Sequence, residues 1–100
     1  MKFKIPKQFE LMGQTIRVVY DKKLCHENDN RAEARYRSNE IAINPPSECQ
    51  PWPQEHIGEA FFHELVHFIF HMAGEKTMAS DERIVGVVGN LLHQAIKTMR

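Results

Sequence analysis

The sequence predicts an α+β fold, in which a small sheet of three to four strands, antiparallel or mixed, packs on two long helices. Three observations carry the prediction. The first 44 residues alternate short apolar segments with turn signals. A run from about Pro53 to Gly74 is too long for a strand and almost continuously apolar around His63-Glu64-Leu65-Val66-His67. After Asp81, apolar residues return at helical spacing.

The chain opens with Phe9-Glu10-Leu11 and Thr15-Ile16-Arg17-Val18-Val19-Tyr20 on either side of Met12-Gly13-Gln14, the pattern of a β-hairpin. Asp21 to Asn30 is polar and reads as a loop, in which His26 is solvated. A second hairpin is expected from Ala32–Arg37 and Glu40–Asn44, turning at Ser38-Asn39 and ended by Pro45-Pro46. The Pro-rich link that follows carries Trp52, expected to cover the edge of the core. Pro53 suits the first turn of a helix and Gly74 suits its C-terminal cap, with Gly58 allowing close packing on a strand. Glu75 to Ala79 is then a connector and Ser80 an N-cap, with Asp81 and Glu82 favouring the helix dipole. Ile84, Val85, Val88, Leu91, Leu92, Ala95 and Met99 form the expected apolar side of the last helix. Gly86 and Gly89 make a smooth patch where another helix can approach.

With 100 residues, of which 42% are apolar, the chain supports one modest core, so residues 1–100 are read as one domain. Thirteen basic residues balance thirteen acidic ones, so no net field points to nucleic acid or an anionic membrane. No apolar stretch has the length of a signal peptide or a membrane span, and Cys25 and Cys49 lie in no metal or redox motif. A cytoplasmic protein with two free thiols is expected.

His63 and His67 stand four apart, so on a helix their imidazoles share one face and can point at one metal ion. Glu64 is placed to reach a water on that ion rather than the ion itself. This is the HExxH arrangement of zinc hydrolases, with the Glu as general base. Ionisable groups on so apolar a helix need partners, and a metal in a cleft supplies them. One zinc ion per chain is the expected cofactor. A third protein ligand is required, with Glu82, Asp81 and His71 as candidates. Three ligands in line along one straight helix cannot converge on a tetrahedral site, which disfavours His71. Glu82 is preferred as ligand, with Asp81 as a supporting or capping group.

The strand ending Ile41-Ala42-Ile43-Asn44, the Pro-containing link, the HExxH helix and a second helix opening Glu82-Arg83-Ile84-Val85 resemble the small gluzincin-type metallopeptidases of phages and mobile elements, the ImmA/IrrE-like and SprT-like groups among them. The resemblance covers roughly residues 32 to 98. Metzincins are excluded because Phe70 and Ala73 stand where they need Gly and His, and no GTxxD element of an aspzincin follows. What the resemblance implies is a minimal zincin-like domain with His63, His67 and Glu82 as metal ligands and Glu64 as the catalytic base of peptide-bond hydrolysis. The substrate is then a peptide or protein, pairing in extended form with the Glu40–Asn44 strand if that strand edges the cleft. Tyr36, His71 and His93 are candidate electrophiles for the oxyanion. Two rivals stand beside this reading: a non-enzymatic zinc-binding adaptor or inhibitor on the same fold, and a zinc hydrolase of other substrates. Glu64 favours chemistry over the adaptor, because a structural zinc site has no use for a general base.

Overall fold

The computed structural model describes residues 4–24, 31–45 and 54–100. The expectations for Cys25, His26, Cys49, Trp52 and Pro53 lie outside these residues. A four-stranded mixed sheet is built from β1 (Gln8–Leu11), β2 (Gln14–Tyr20), β3 (Ala32–Arg35) and β4 (Glu40–Ile43), in the order β1-β2-β4-β3. The long helices are α1 (Gln54–Met72) and α3 (Glu82–Thr98), and the short α2 (Lys76–Ala79) lies between them. The α+β class is as expected. None of these helices is long and apolar enough to cross a membrane.

Both hairpins form. β1 and β2 join through a turn at Met12 (φ 49°) and Gly13 (φ 77°), and two positive φ values in succession are the mark of the tight turn that matches strand twist. β3 and β4 are antiparallel, but β3 ends at Arg35, so the loop takes in Tyr36 and Arg37 as well as Ser38-Asn39. Asn39 (φ 51°) absorbs the reversal. The hairpins meet through a parallel pairing of β2 with β4, registered from Arg17 opposite Glu40 to Tyr20 opposite Ile43. β4 is therefore an interior strand and β3 an edge strand, so the condition for substrate pairing with Glu40–Asn44, that this strand edge the cleft, is not met. Arg35 ties that edge down, pairing with Asp21 at 2.7 Å and Glu33 at 2.7 Å.

The core lies between the sheet and α1. Ile16, Ile41 and Ile43 meet Ile57, Ala60, Phe61, Phe62 and Phe68 in one cluster, with Phe61 set edge-on to Phe9 and to Phe62. On the sheet's helix-facing side β3 offers only the methyl groups of Ala32 and Ala34, which leaves room for α1 to come close to this edge. α1 stops where Gly74 (φ 79°) turns the chain, letting Glu75 N–H donate to the Phe70 carbonyl at 2.9 Å. The connector is not extended, because Lys76–Ala79 form a helical turn. Ser80 ends that turn instead of capping α3. Asp81 is the cap, its Oδ1 accepting from Arg83 and Ile84 N–H at 3.0 and 3.1 Å.

α3 packs antiparallel on α1 through Val85, Gly89 and His93, all buried. A Cβ on Gly89 would sit 3.1 Å from His63 Cα, so the smooth patch does serve a close helix approach there. Gly58 instead makes room for the His93 ring and not for a strand, since a Cβ would lie 2.7 Å from His93 Nε2. Val88 and Leu91, expected in the apolar side of α3, are exposed at 38% and 62%, as is Met99 at 53%.

Candidate metal centre

His63 and His67 share a face of α1 because they are one turn apart, and α3 returns beside α1 with Glu82 as its first residue. The Glu82 carboxylate spans the two imidazoles, Oε2 lying 2.9 Å from His63 Nε2 and Oε1 lying 3.0 Å from His67 Nε2. Each of the three residues offers a ligand atom within 4.8 Å of the others, and together they can hold a metal ion. The arrangement selects Glu82 from the candidates: Asp81 is occupied as the helix cap, and His71 stands outside the group.

The hydrogen bonds orient the group as a metal ligand set would need. His67 Nδ1 lies 2.7 Å from the carbonyl of Ala79. A carbonyl only accepts, so Nδ1 carries the hydrogen, and in the neutral ring Nε2 presents its lone pair to Glu82. Two lone pairs 3.0 Å apart repel unless a proton or a metal ion lies between them. Fixing of the distal nitrogen by a backbone carbonyl is the support that metal-ligating histidines use. A tetrahedral ion with bonds of about 2.0–2.1 Å needs ligand atoms about 3.3 Å apart. The separations of Glu82 Oε2 from His63 Nε2 (2.9 Å) and of Glu82 Oε1 from His67 Nε2 (3.0 Å) lie within a few tenths of an ångström of that spacing.

Glu64 is buried beside this group, 8% exposed, and accepts a hydrogen bond from the Ala34 N–H on edge strand β3. Its pKa is pushed up to about 8, chiefly by desolvation, then by the negative charges of Glu82 and Glu33, with the Ala34 N–H opposing. The carboxyl thus holds its proton at neutral pH until positive charge arrives nearby.

These groups open into a cleft of about 700 Å³, lined on one wall by Arg31–Ala34 and Tyr36 and on the other by Glu59, His63, Gly86 and Asn90. Tyr36 is clamped by His71, stacked on it at 4.0 Å, and by the edge-on Phe68 ring at 5.1 Å. Burial, then Glu64 and Glu82, raise its pKa, so its hydroxyl stays a donor. Of the candidate electrophiles, Tyr36 alone lines the cleft. His71 is its stacking partner, and His93 is buried against Phe62 between α1 and α3. Glu59 and Asn90 were not foreseen, though spacing places Glu59 one turn before His63 and Asn90 two turns after Glu82. The carbonyl of Ala79 had no side-chain signal at all. No known protein family, curated protein or solved structure matches the chain.

Proposed function

We propose that the chain is a zinc-dependent hydrolase of peptide bonds on a minimal zincin-like fold, akin to the small gluzincin-type metallopeptidases of phages and mobile elements. One observation carries the reading: a buried carboxyl, Glu64, stands beside the His63–His67–Glu82 group at the floor of an open cleft. A purely structural metal site needs the three ligands, but it has no use for a fourth ionisable group kept dry beside them.

Two imidazoles and a carboxylate are the donor set that suits zinc with one position left open. When bound, the ion supplies Lewis acidity, acidifying a water and polarising a carbonyl. With positive charge held at His63, His67 and Glu82, Glu64 would give up its proton more readily and its carboxylate would be free to act. Glu64 then takes a proton from the attacking water and passes it to the leaving amine, while the Ala34 N–H holds the carboxylate in place. Tyr36, its ring fixed by His71 and Phe68, donates its O–H to the oxygen that gains charge. The Arg31 carbonyl accepts from Asn44 N–H at 2.7 Å, which sets the pairing phase so that Ala32 and Ala34 turn their backbone groups away from β4. Ala34 is engaged by Glu64, and the backbone groups of Ala32, turned outward from β4, would pair with an extended substrate backbone.

The test is a broad peptide library digested by zinc-loaded parent and by Glu64→Gln. Cleavage by the parent and its loss in the variant supports the proposal. A fully loaded parent that cleaves nothing favours the adaptor reading.

A further inference from the structure

The cleft continues past the metal group, and its far end is built where three elements come level. β3 and α1 run side by side in the same direction: the Ala34 N–H reaches Glu64, and the Tyr36 ring meets Phe68 and His71. Two strand residues back from Ala34 cover about 6.6 Å, and one helix turn back from Glu64 covers about 5.4 Å. Ala32 therefore stands level with Ala60 and Glu59. α3 runs the opposite way, with Gly89 against His63 and His93 against Gly58, so Asn90 falls between those levels, near the same height. All four of these residues line the cleft. The methyl groups of Ala32 and Ala60 and the bare backbone of Gly86 make a slot with small apolar walls, and Glu59 and Asn90 supply its polar groups.

The charges around this slot leave Glu59 dominant. Arg31 and Glu33 flank Ala32, but strand alternation sends their side chains to the other face of the sheet, where Glu33 pairs with Arg35 at 2.7 Å. Arg83 and Lys97 of α3 do not line the cleft, and Glu82 is engaged by His63 and His67. Among the described residues no ion pair engages Glu59.

We infer that the cleft takes a lysine or arginine side chain of the substrate, close to the bond that is cut, with Glu59 as the residue that selects it. The inference rests on the proposed hydrolase reading and names its substrate class. A substrate residue paired with the Ala32 backbone carries its side chain on the same side of the sheet as the Ala32 methyl, which faces α1. That side chain enters the slot. The aliphatic stem of a lysine or arginine lies along the small apolar walls, and its cationic head donates to the Glu59 carboxylate and the Asn90 amide oxygen. An apolar side chain would strip water from Glu59 and Asn90 and return no hydrogen bond, and an acidic one meets a like charge. The slot lies one helix turn from the metal group, so the selected residue stands within two positions of the cut bond and always on the same side of it.

The test is the cleavage-site profile of the zinc-loaded parent, Glu59→Gln and Glu59→Lys on a random peptide library, the cut bonds read by mass spectrometry. Circular dichroism and zinc content verify that each variant keeps its fold and metal. The parent is expected to enrich lysine or arginine at one fixed position. Glu59→Gln should lower the ratio of kcat/KM for a lysine peptide to that for its norleucine counterpart by about 10-fold. Glu59→Lys should turn the preference at that position towards aspartate or glutamate. Cleavage that depends on Glu64 but shows no basic preference, or a basic preference that Glu59→Gln leaves intact, overturns this inference and leaves the hydrolase reading standing. A loaded parent that cuts nothing overturns the hydrolase reading and this inference with it.

Discussion

Glu64 is the residue on which fold and chemistry disagree, and its ionisation ought to be visible without any substrate. An ordinary glutamate titrates near 4.5, and in the folded protein the value is about 8. The folded state therefore binds the proton more tightly than the unfolded state. The resulting stabilisation is fully present below pH 4.5 and is lost as pH rises through 8. Urea unfolding of chelated protein should show the parent weakening across that window and Glu64→Gln weakening much less; equal slopes would contradict the burial of this carboxyl. With zinc and a substrate, the same variant should keep its metal while turnover falls by about 10²–10⁴-fold. Tyr36→Phe keeps the ring stack and removes one donor, so kcat should drop by roughly 10²-fold with KM little changed. The sequence made His63, Glu64 and His67 legible because one short motif on one helix fixes their mutual geometry. The choice between Glu82, Asp81 and His71 needed the packing of α3 on α1, a long-range fact that local spacing does not contain.

The elements themselves show how far periodicity reads. Strand alternation and turn residues placed both hairpins, since Met12-Gly13 and the polar Ser38-Asn39 are local signals. Which strand lies inside the sheet is not local: the parallel pairing of β2 with β4 puts Glu40–Ile43 inside and leaves Ala32–Arg35 at an edge. On α3, one list of apolar residues merged two faces, because Val85 and Leu92 point to the core while Val88 and Leu91 point outward. The two central glycines of α3 separate the packed face from the cleft face and offer a paired test. A Cβ at Gly89 meets the His63 backbone at 3.1 Å, which yields only if the helices part. Gly89→Ala should cost about 1–3 kcal/mol and loosen metal binding by moving Glu82 away from the histidines. Gly86 has nothing within 4 Å of such a Cβ, so Gly86→Ala should stabilise α3 by about 0.5–1 kcal/mol in thermal or urea unfolding. Equal effects at the two positions would contradict the packing of α3 on α1.

For the whole molecule, the metal group joins elements that the chain connects only through a short helix. His63 and His67 belong to α1, Glu82 opens α3, and the Ala79 carbonyl that orients His67 ends α2. A bound ion therefore adds to the contact between the two long helices, and stripping it with a chelator should lower the melting temperature, with recovery on adding zinc. Composition points to one modest core but says nothing of the cleft, which exists because β3 carries alanines and α3 carries Gly86 where larger side chains would fill it. The most direct measurement is zinc content per chain after chelation and reloading, for the parent, Glu82→Ala, His71→Ala and the double His63→Ala, His67→Ala variant. The parent and His71→Ala should each hold close to one zinc, Glu82→Ala should bind at least about 10-fold more weakly, and the double variant should hold none. Full loading of the double variant, or loss of zinc in His71→Ala with Glu82→Ala unaffected, would contradict the site.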